Sequence, residues 1–81
     1  MSPRALAEAL RLAEQGDWHG AHGIVQSDEG DPLSCWLHAV LHRQEGDLAN
    51  ARYWYGRSGR RLRVAVAPEA ELAEIRAALR D

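Results

Sequence analysis

A Gly-Asp pair occurs twice in this chain, 30 residues apart, and it constrains the fold more than any other feature. Gly16 and Gly46 follow segments with apolar residues at helical spacing, and glycine takes the left-handed conformation that ends a helix at little cost. Asp17 and Asp47 precede further such segments, and aspartate caps the free amides at a helix start. The pattern predicts a helix, a tight turn and a second helix, made twice.

The same offset aligns other residues of the two segments, which indicates an internal repeat. It places Leu6 on Trp36, Leu10 on Val40, Ala21 on Ala51 and Val25 on Tyr55. A single helical hairpin cannot bury its own apolar face, so we expect the two hairpins to stack on each other. The expected fold is all-α, with two antiparallel helical hairpins and a C-terminal capping helix in one domain over residues 1–81.

Helix-capping signals set the expected boundaries. Ser2-Pro3 and Asp31-Pro32 each combine a capping side chain with a proline suited to the first helical turn, and Pro68 starts the last helix. The individual helices are expected to end near Gln15, Gln26, Glu45, Ser58 and Arg80. This gives hairpin 1 over about residues 3–27, hairpin 2 over about 32–59, an extended linker over 60–67 and a capping helix over 68–80.

The repeated unit resembles the tetratricopeptide repeat. The resemblance rests on Gly16-Asp17 with Ala21, and on Gly46-Asp47 with Ala51 and Tyr55, and it covers about residues 3–59. The repeat length here is 30 residues, against about 34 in that family. The resemblance implies stacked helical hairpins closed by a capping helix.

A second resemblance concerns the centre of the chain. Its residues fit three patterns, A-H…Q at Ala21–Gln26, W-x-H-A-x-x-H-R-x-E-x-D at Trp36–Asp47 and N-A-x-Y-W at Asn50–Trp54. A family of small uncharacterised microbial proteins is similar in these positions. The resemblance implies membership of that group and no particular activity.

Composition excludes several classes of protein. Cys35 is the one cysteine, so no intramolecular disulfide can form. We find no signal-peptide pattern and no run of about 20 apolar residues, so we expect a cytoplasmic, bacterial protein without a membrane partner. The net charge of −2 and the lack of a recognised nucleic-acid motif argue against a nucleic-acid partner.

One side of the third helix carries residue types that commonly bind metals in proteins. Cys35, His38, His42 and Glu45 lie within about 80° of one another around the helix axis. Histidines at i and i+4 can hold one ion, and His22 from a neighbouring helix is a third candidate. The hypothesis is a site for zinc, nickel or copper formed by His22, His38, His42 and Glu45. Alternatively, these histidines are buried and hydrogen-bonded against the fourth helix, or face solvent.

Other residues are candidates for binding a ligand or partner. The full set is His22, Trp36, His38, His42, Arg43, Asn50, Tyr53, Trp54 and Arg57. An exposed Trp54 beside Asn50 and Arg57 would resemble an interface hot spot, although Trp54 would equally fit against the capping segment. Five arginines between residues 52 and 63 can hold a phosphate, a carboxylate or an acidic partner, or form a solvated face paired with Glu69, Glu71 and Glu74.

Two functions compete on this pattern. The leading hypothesis is a non-enzymatic interaction module that binds a protein partner or associates with itself, without a cofactor. The second is a metal- or small-ligand-binding protein, including an enzyme, that uses the histidines and Glu45. A polar network that only fixes the packing is a third interpretation. No nucleophile or phosphate-binding glycine loop is found, and the sequence favours a protein without catalytic residues.

Overall fold

The computed structural model describes residues 1–80, so Asp81, the last residue of the predicted domain, lies outside it. It contains five helices, which we number α1 (Pro3–Glu14), α2 (Trp18–Gln26), α3 (Pro32–Gln44), α4 (Leu48–Ser58) and α5 (Pro68–Arg80). The described residues contain no strand, which confirms the all-α class. α1 and α3 each end one residue before the expected position, because Gln15 and Glu45 are their C-caps.

The two Gly-Asp turns have nearly the same geometry. Gly16 and Gly46 have φ angles of +86° and +87°, which L-residues with a side chain rarely adopt. The Asp17 side chain accepts a hydrogen bond from the amide three residues later at 2.9 Å, and Asp47 does the same at 3.2 Å. Because these interactions lie within a few residues of each turn, the repeat could be predicted from the sequence.

Helix α3 lies at the centre of the molecule. It pairs with α4, while α1 pairs with α2, so the chain forms two hairpins in the expected order. Every residue from 34 to 42 is buried. α5 packs against both α1 and α3 and therefore covers a face that the two hairpins share. Tetratricopeptide-type stacking of the hairpins stays a prediction from the sequence resemblance.

The linker over residues 60–67 forms a coil and a turn rather than a strand. Leu62 packs against the core, whereas Val64 is 79% exposed. The alternating apolar pattern in this segment therefore does not mark a paired strand. Leu62 anchors the linker to the core, whereas the Val64 side chain points to solvent.

A buried carboxylate ties the last helix to the two before it. Glu71 of α5 is 1% exposed and accepts hydrogen bonds from Trp36 Nε1 at 3.0 Å, from Arg43 Nη1 at 2.6 Å and from the Tyr55 hydroxyl. Arg63 of the linker lies 3.4 Å from the same carboxylate. The sequence did not predict this burial, because the apolar stripe of α5 runs through other positions and Glu71 was a candidate partner for a solvated arginine face.

The partners of Glu71 decide its ionisation. Burial opposes the charged form, but hydrogen bonds from Trp36, Tyr55 and Arg43 outweigh it, so the pKa of Glu71 lies below its usual value. Removing one partner of a buried ion pair is strongly destabilising, because the other charge is left uncompensated. Loss of the carboxylate charge would leave the Arg43 guanidinium buried without its counterion.

We predict that Glu71→Gln lowers the free energy of unfolding by about 2–4 kcal/mol, because it removes that counterion. Urea titration followed by circular dichroism measures this change. The control is Glu69→Gln, an exposed residue of the same helical turn, which should cost less than about 1 kcal/mol. Equal effects of the two substitutions would contradict a special role for the buried carboxylate.

Candidate metal centre

Three histidines meet between α2 and α3. His38 and His42 are one turn apart on α3, and His22 reaches them from α2. The ring centroids of His22 and His38 are 4.8 Å apart, those of His38 and His42 4.9 Å, and those of His22 and His42 5.3 Å. One nitrogen from each ring lies within 4.8 Å of the others. His22, His38 and His42 form what we call the histidine cluster.

The closest contact in the cluster joins two like nitrogens. His22 Nε2 and His38 Nε2 are 3.1 Å apart. A neutral imidazole carries one N–H and one free lone pair, so one ring must donate and the other accept at this distance. The contact therefore requires that at least one of the two rings is neutral.

His42 is oriented by an acidic residue at the end of its own helix. Its Nδ1 lies 2.5 Å from Glu45 Oε1. A carboxylate accepts hydrogen bonds, so Nδ1 is the donor, and in the neutral form of the ring Nε2 then has the free lone pair. Glu45 groups with His42 and Asp47 and not with His22 and His38. Its position therefore suits the orientation of a ligand better than the direct ligation predicted from the sequence.

Two tryptophans enclose the histidine cluster. The Trp18 ring stacks on His22 with centroids 4.5 Å apart, and its indole N–H donates to the Leu41 carbonyl at 2.6 Å. The Trp54 ring stacks on His38 with centroids 4.0 Å apart. These contacts hold the imidazole planes and exclude water from one side of each ring. Trp18 was not predicted, although its i, i+4 spacing from His22 placed both on one side of α2.

The surroundings of the cluster favour uncharged imidazoles. Burial, together with the neighbouring His22 and His42, lowers the pKa of His38 to about 4. Burial is also the main cause that lowers the pKa of His22. His38 Nδ1 is buried and has no hydrogen-bond partner among the described residues, which costs free energy. His22 and His38 thus offer uncharged rings at pH 7, and His38 has one nitrogen without a partner among the described residues.

Comparison of the chain with protein-family models, with curated proteins and with solved structures gives no match. Within residues 1–80, no helix has the length and apolar character needed to cross a membrane.

The structure places several predicted binding residues in supporting roles. The Trp36 and Arg43 side chains are directed to Glu71, and the Arg43 side chain is only 8% exposed. The Asn50 amide donates to the Asp47 carboxylate at 2.8 Å and so reinforces the cap of α4. These three residues are held by intramolecular contacts, and none of them contributes to the group of three histidines.

The aromatic residues of α4 divide between core and surface. Trp54 is 8% exposed and lies under His38, so the exposed hot spot proposed for it is not present. Its ring also packs on His38 rather than on the capping segment. Tyr53 is 54% exposed, and Arg57 Nη1 donates to its hydroxyl at 3.2 Å. The exposed aromatic residue on this helix is therefore Tyr53.

Cys35 shares a side of α3 with the histidines but does not join them. It is 2% exposed, and its thiol donates to the Glu29 carbonyl at 3.2 Å. Burial raises the pKa of the Cys35 thiol. Because the reactive and ligating form is the thiolate, this environment is that of an inert core thiol.

The low pKa of His38 predicts that acid destabilises the fold. An unfolded histidine titrates near pH 6.5, so between this pH and about 4 the unfolded chain binds more protons than the folded one. The stabilisation is complete above about pH 6.5 and is lost as the pH falls toward 4. From about pH 7 to about pH 5 we expect the free energy of unfolding to fall by about 2 kcal/mol, measured by urea titration at each pH.

Two variants assign this pH dependence to its source. His38→Gln should remove most of it, whereas His19→Gln, on an exposed residue of α2, should retain it. The Glu71 carboxyl, whose pKa is lowered, stays ionised across this range and contributes little. A stability that is flat between the two pH values, or an unchanged slope in His38→Gln, would contradict the assignment.

Proposed function

We propose that this protein binds one transition-metal ion, with zinc the first candidate, through His22, His38 and His42. The observation that carries the proposal is the convergence of three ring nitrogens within 4.8 Å of one another. Imidazole nitrogen is a preferred ligand of zinc, copper and nickel. The low pKa of His38 and of His22 means that binding would not first have to remove protons from these rings at pH 7.

The spacing of the two closest nitrogens fits tetrahedral coordination. With zinc–nitrogen bonds of about 2.0–2.1 Å, two imidazole nitrogens of a tetrahedral site lie about 3.3 Å apart. His22 Nε2 and His38 Nε2 are already 3.1 Å apart. An ion between them would need a shift of a few tenths of an ångström, and the ring that donates at this contact would have to carry its proton on Nδ1, so that both Nε2 atoms offer a lone pair. His42 supplies a third nitrogen whose tautomer Glu45 fixes.

The three candidate ligand residues belong to different hairpins, so metal binding would have a structural consequence. His22 belongs to the first hairpin, whereas His38 and His42 belong to the second. An ion held by all three would link the hairpins and stabilise the folded chain by about 2.7 kcal/mol at a free concentration one hundred times its Kd. Such a link matters in a domain of 81 residues, since domains of this size bury a small apolar core. Three protein ligands also leave one position for water or another donor.

Two other interpretations make different predictions. A histidine network that only fixes the packing needs no ion, and its hydrogen bonds would be complete in the protein alone. The interaction module expected from the repeat stays a separate proposal, because its exposed residues lie on the outer side of α4 and not in the histidine cluster.

The decisive experiment is elemental analysis of the untagged protein, followed by zinc titration in a competing chelator. We expect one zinc per chain and an increase in the melting temperature on zinc addition. The double variant His38→Gln/His42→Gln should lose zinc binding. His19→Gln, which removes an exposed histidine outside the cluster, is the matched control and should bind like the parent protein.

Circular dichroism separates loss of the site from loss of the fold. His22→Gln affects a half-buried ring of α2 and should preserve the helices while weakening zinc binding by at least about tenfold. A folded parent protein that binds neither zinc, copper nor nickel would contradict the proposal. So would zinc binding that the cluster variants do not weaken.

The contact between Glu45 and His42 predicts an indirect role for the carboxylate. Glu45→Gln should reduce zinc affinity by about 10- to 100-fold without changing the stoichiometry, because such partners orient the imidazole and raise its basicity. Glu29→Gln, which removes an exposed acid outside the cluster, should leave the affinity unchanged. A complete loss of binding in Glu45→Gln would instead show that Glu45 is itself a ligand.

A further inference from the structure

The segment from α4 to the start of α5 has an unusual charge. Residues 48–68 contain five arginines and no aspartate or glutamate. The arginines are Arg52, Arg57, Arg60, Arg61 and Arg63. Acidic residues outnumber basic ones on both sides of this segment in the chain, so the positive charge is local.

Most of this charge is not neutralised inside the fold. Among the described residues, Arg63 alone of the five forms ion pairs, with Glu71 and Glu74. Arg52 and Arg61 make no side-chain hydrogen bond within the same residues, and both are exposed. The expectation that the acids of α5 pair with this cluster therefore holds for one arginine of the five.

Three of the arginines surround a shallow basin of about 290 Å³. Its lining residues are Arg52, Tyr55, Gly56, Arg60, Arg61 and Leu62, with no acid among them. At Gly56, a Cβ atom would meet no neighbour within 4 Å, so the helix surface is open at this point. The Arg60 side chain is held in place, because its guanidinium lies 3.9 Å from the centroid of the Trp36 ring and its Nη1 donates to the Ser58 carbonyl at 3.1 Å.

An exposed aromatic side chain lies on the same helix, one turn from the basin. Tyr53 is 54% exposed and its hydroxyl accepts a hydrogen bond from Arg57. Arg57 is held in turn, since it also donates to the Glu29 carbonyl at 2.8 Å. Tyrosine and arginine held in place in this way are the residue types that dominate binding energy at protein interfaces.

We infer that the outer side of α4 binds an acidic segment of a partner protein. Carboxylates of that segment would lie between Arg52, Arg60 and Arg61, since guanidinium groups bind carboxylates through two parallel hydrogen bonds. Tyr53 would pack on the apolar parts of the same segment. The inference does not depend on the metal centre, whose ligands are on α2 and α3.

The charge distribution favours a short acidic segment over a long polyanion. The whole chain has a net charge of −2, and α5 carries exposed acids, of which Glu74 lines a neighbouring cavity together with Arg60 and Arg61. A nucleic acid that extended beyond the basin would be repelled by these acids. A peptide places its carboxylates in the basin alone.

Fluorescence anisotropy with a fluorescein-labelled octaglutamate peptide tests the inference on the metal-free protein. We expect saturable binding that weakens as the salt concentration rises from roughly 50 mM to roughly 300 mM. The double variant Arg52→Gln/Arg61→Gln should weaken binding at least about tenfold, and Tyr53→Ser by about fivefold. Circular dichroism confirms that each variant is folded.

The matched control is Arg4→Gln/Arg80→Gln, which removes two exposed arginines from α1 and α5 and changes the net charge equally. It should alter affinity less than about twofold. Equal weakening in the two double variants would overturn the inference in favour of non-specific charge. Displacement of the peptide by millimolar inorganic phosphate, tighter binding of a short DNA duplex, or no peptide binding would each overturn it as well.

Discussion

Helix α3 is enclosed on every side, and this constraint shapes the rest of the structure. Its residues 34–42 are all buried. They nevertheless carry polar ring nitrogens, on the indole of Trp36 on one side of the helix and on the imidazoles of His38 and His42 on the other. A buried polar atom without a partner costs more than a hydrogen bond contributes, so neighbouring elements must supply partners. On one side Glu71 accepts from Trp36 and Arg43. On the other, His22 and Glu45 contact the two histidines.

The buried polar atoms on the two sides of α3 differ in how they find hydrogen-bond partners. Around Glu71, a full negative charge is satisfied by several donors, and the result is a closed network that joins α3, α4, the linker and α5. Around His38, imidazole rings contact one another, and Nδ1 of His38 has no partner among the described residues. The three rings also bring one nitrogen each within 4.8 Å of the others. This contrast is why we propose metal binding for the histidine side, whereas the Glu71 network joins the helices.

The part of the histidine site that the sequence predicted most directly lies on a single helix, α3. His38 and His42 follow from an i, i+4 spacing, and His22 was named as a partner because hairpin stacking brings α2 to α3. The burial of Glu71 and the role of Trp18 were not predicted, since each depends partly on a hydrogen bond to a residue more than 20 positions away. The exposure of Trp54 was also left open by the sequence, because a helical position alone does not tell which neighbour covers it.

The sequence by itself determined the five helices, their ends and their order, because caps, prolines and left-handed glycines act within a few residues. It also determined that positive charge concentrates between residues 48 and 68. Only the tertiary structure decided that the three histidines meet, that Glu45 orients one of them and that Glu71 is buried. Those outcomes depend on how far each helix is rotated about its own axis when it packs, and that rotation is set by the whole core at once.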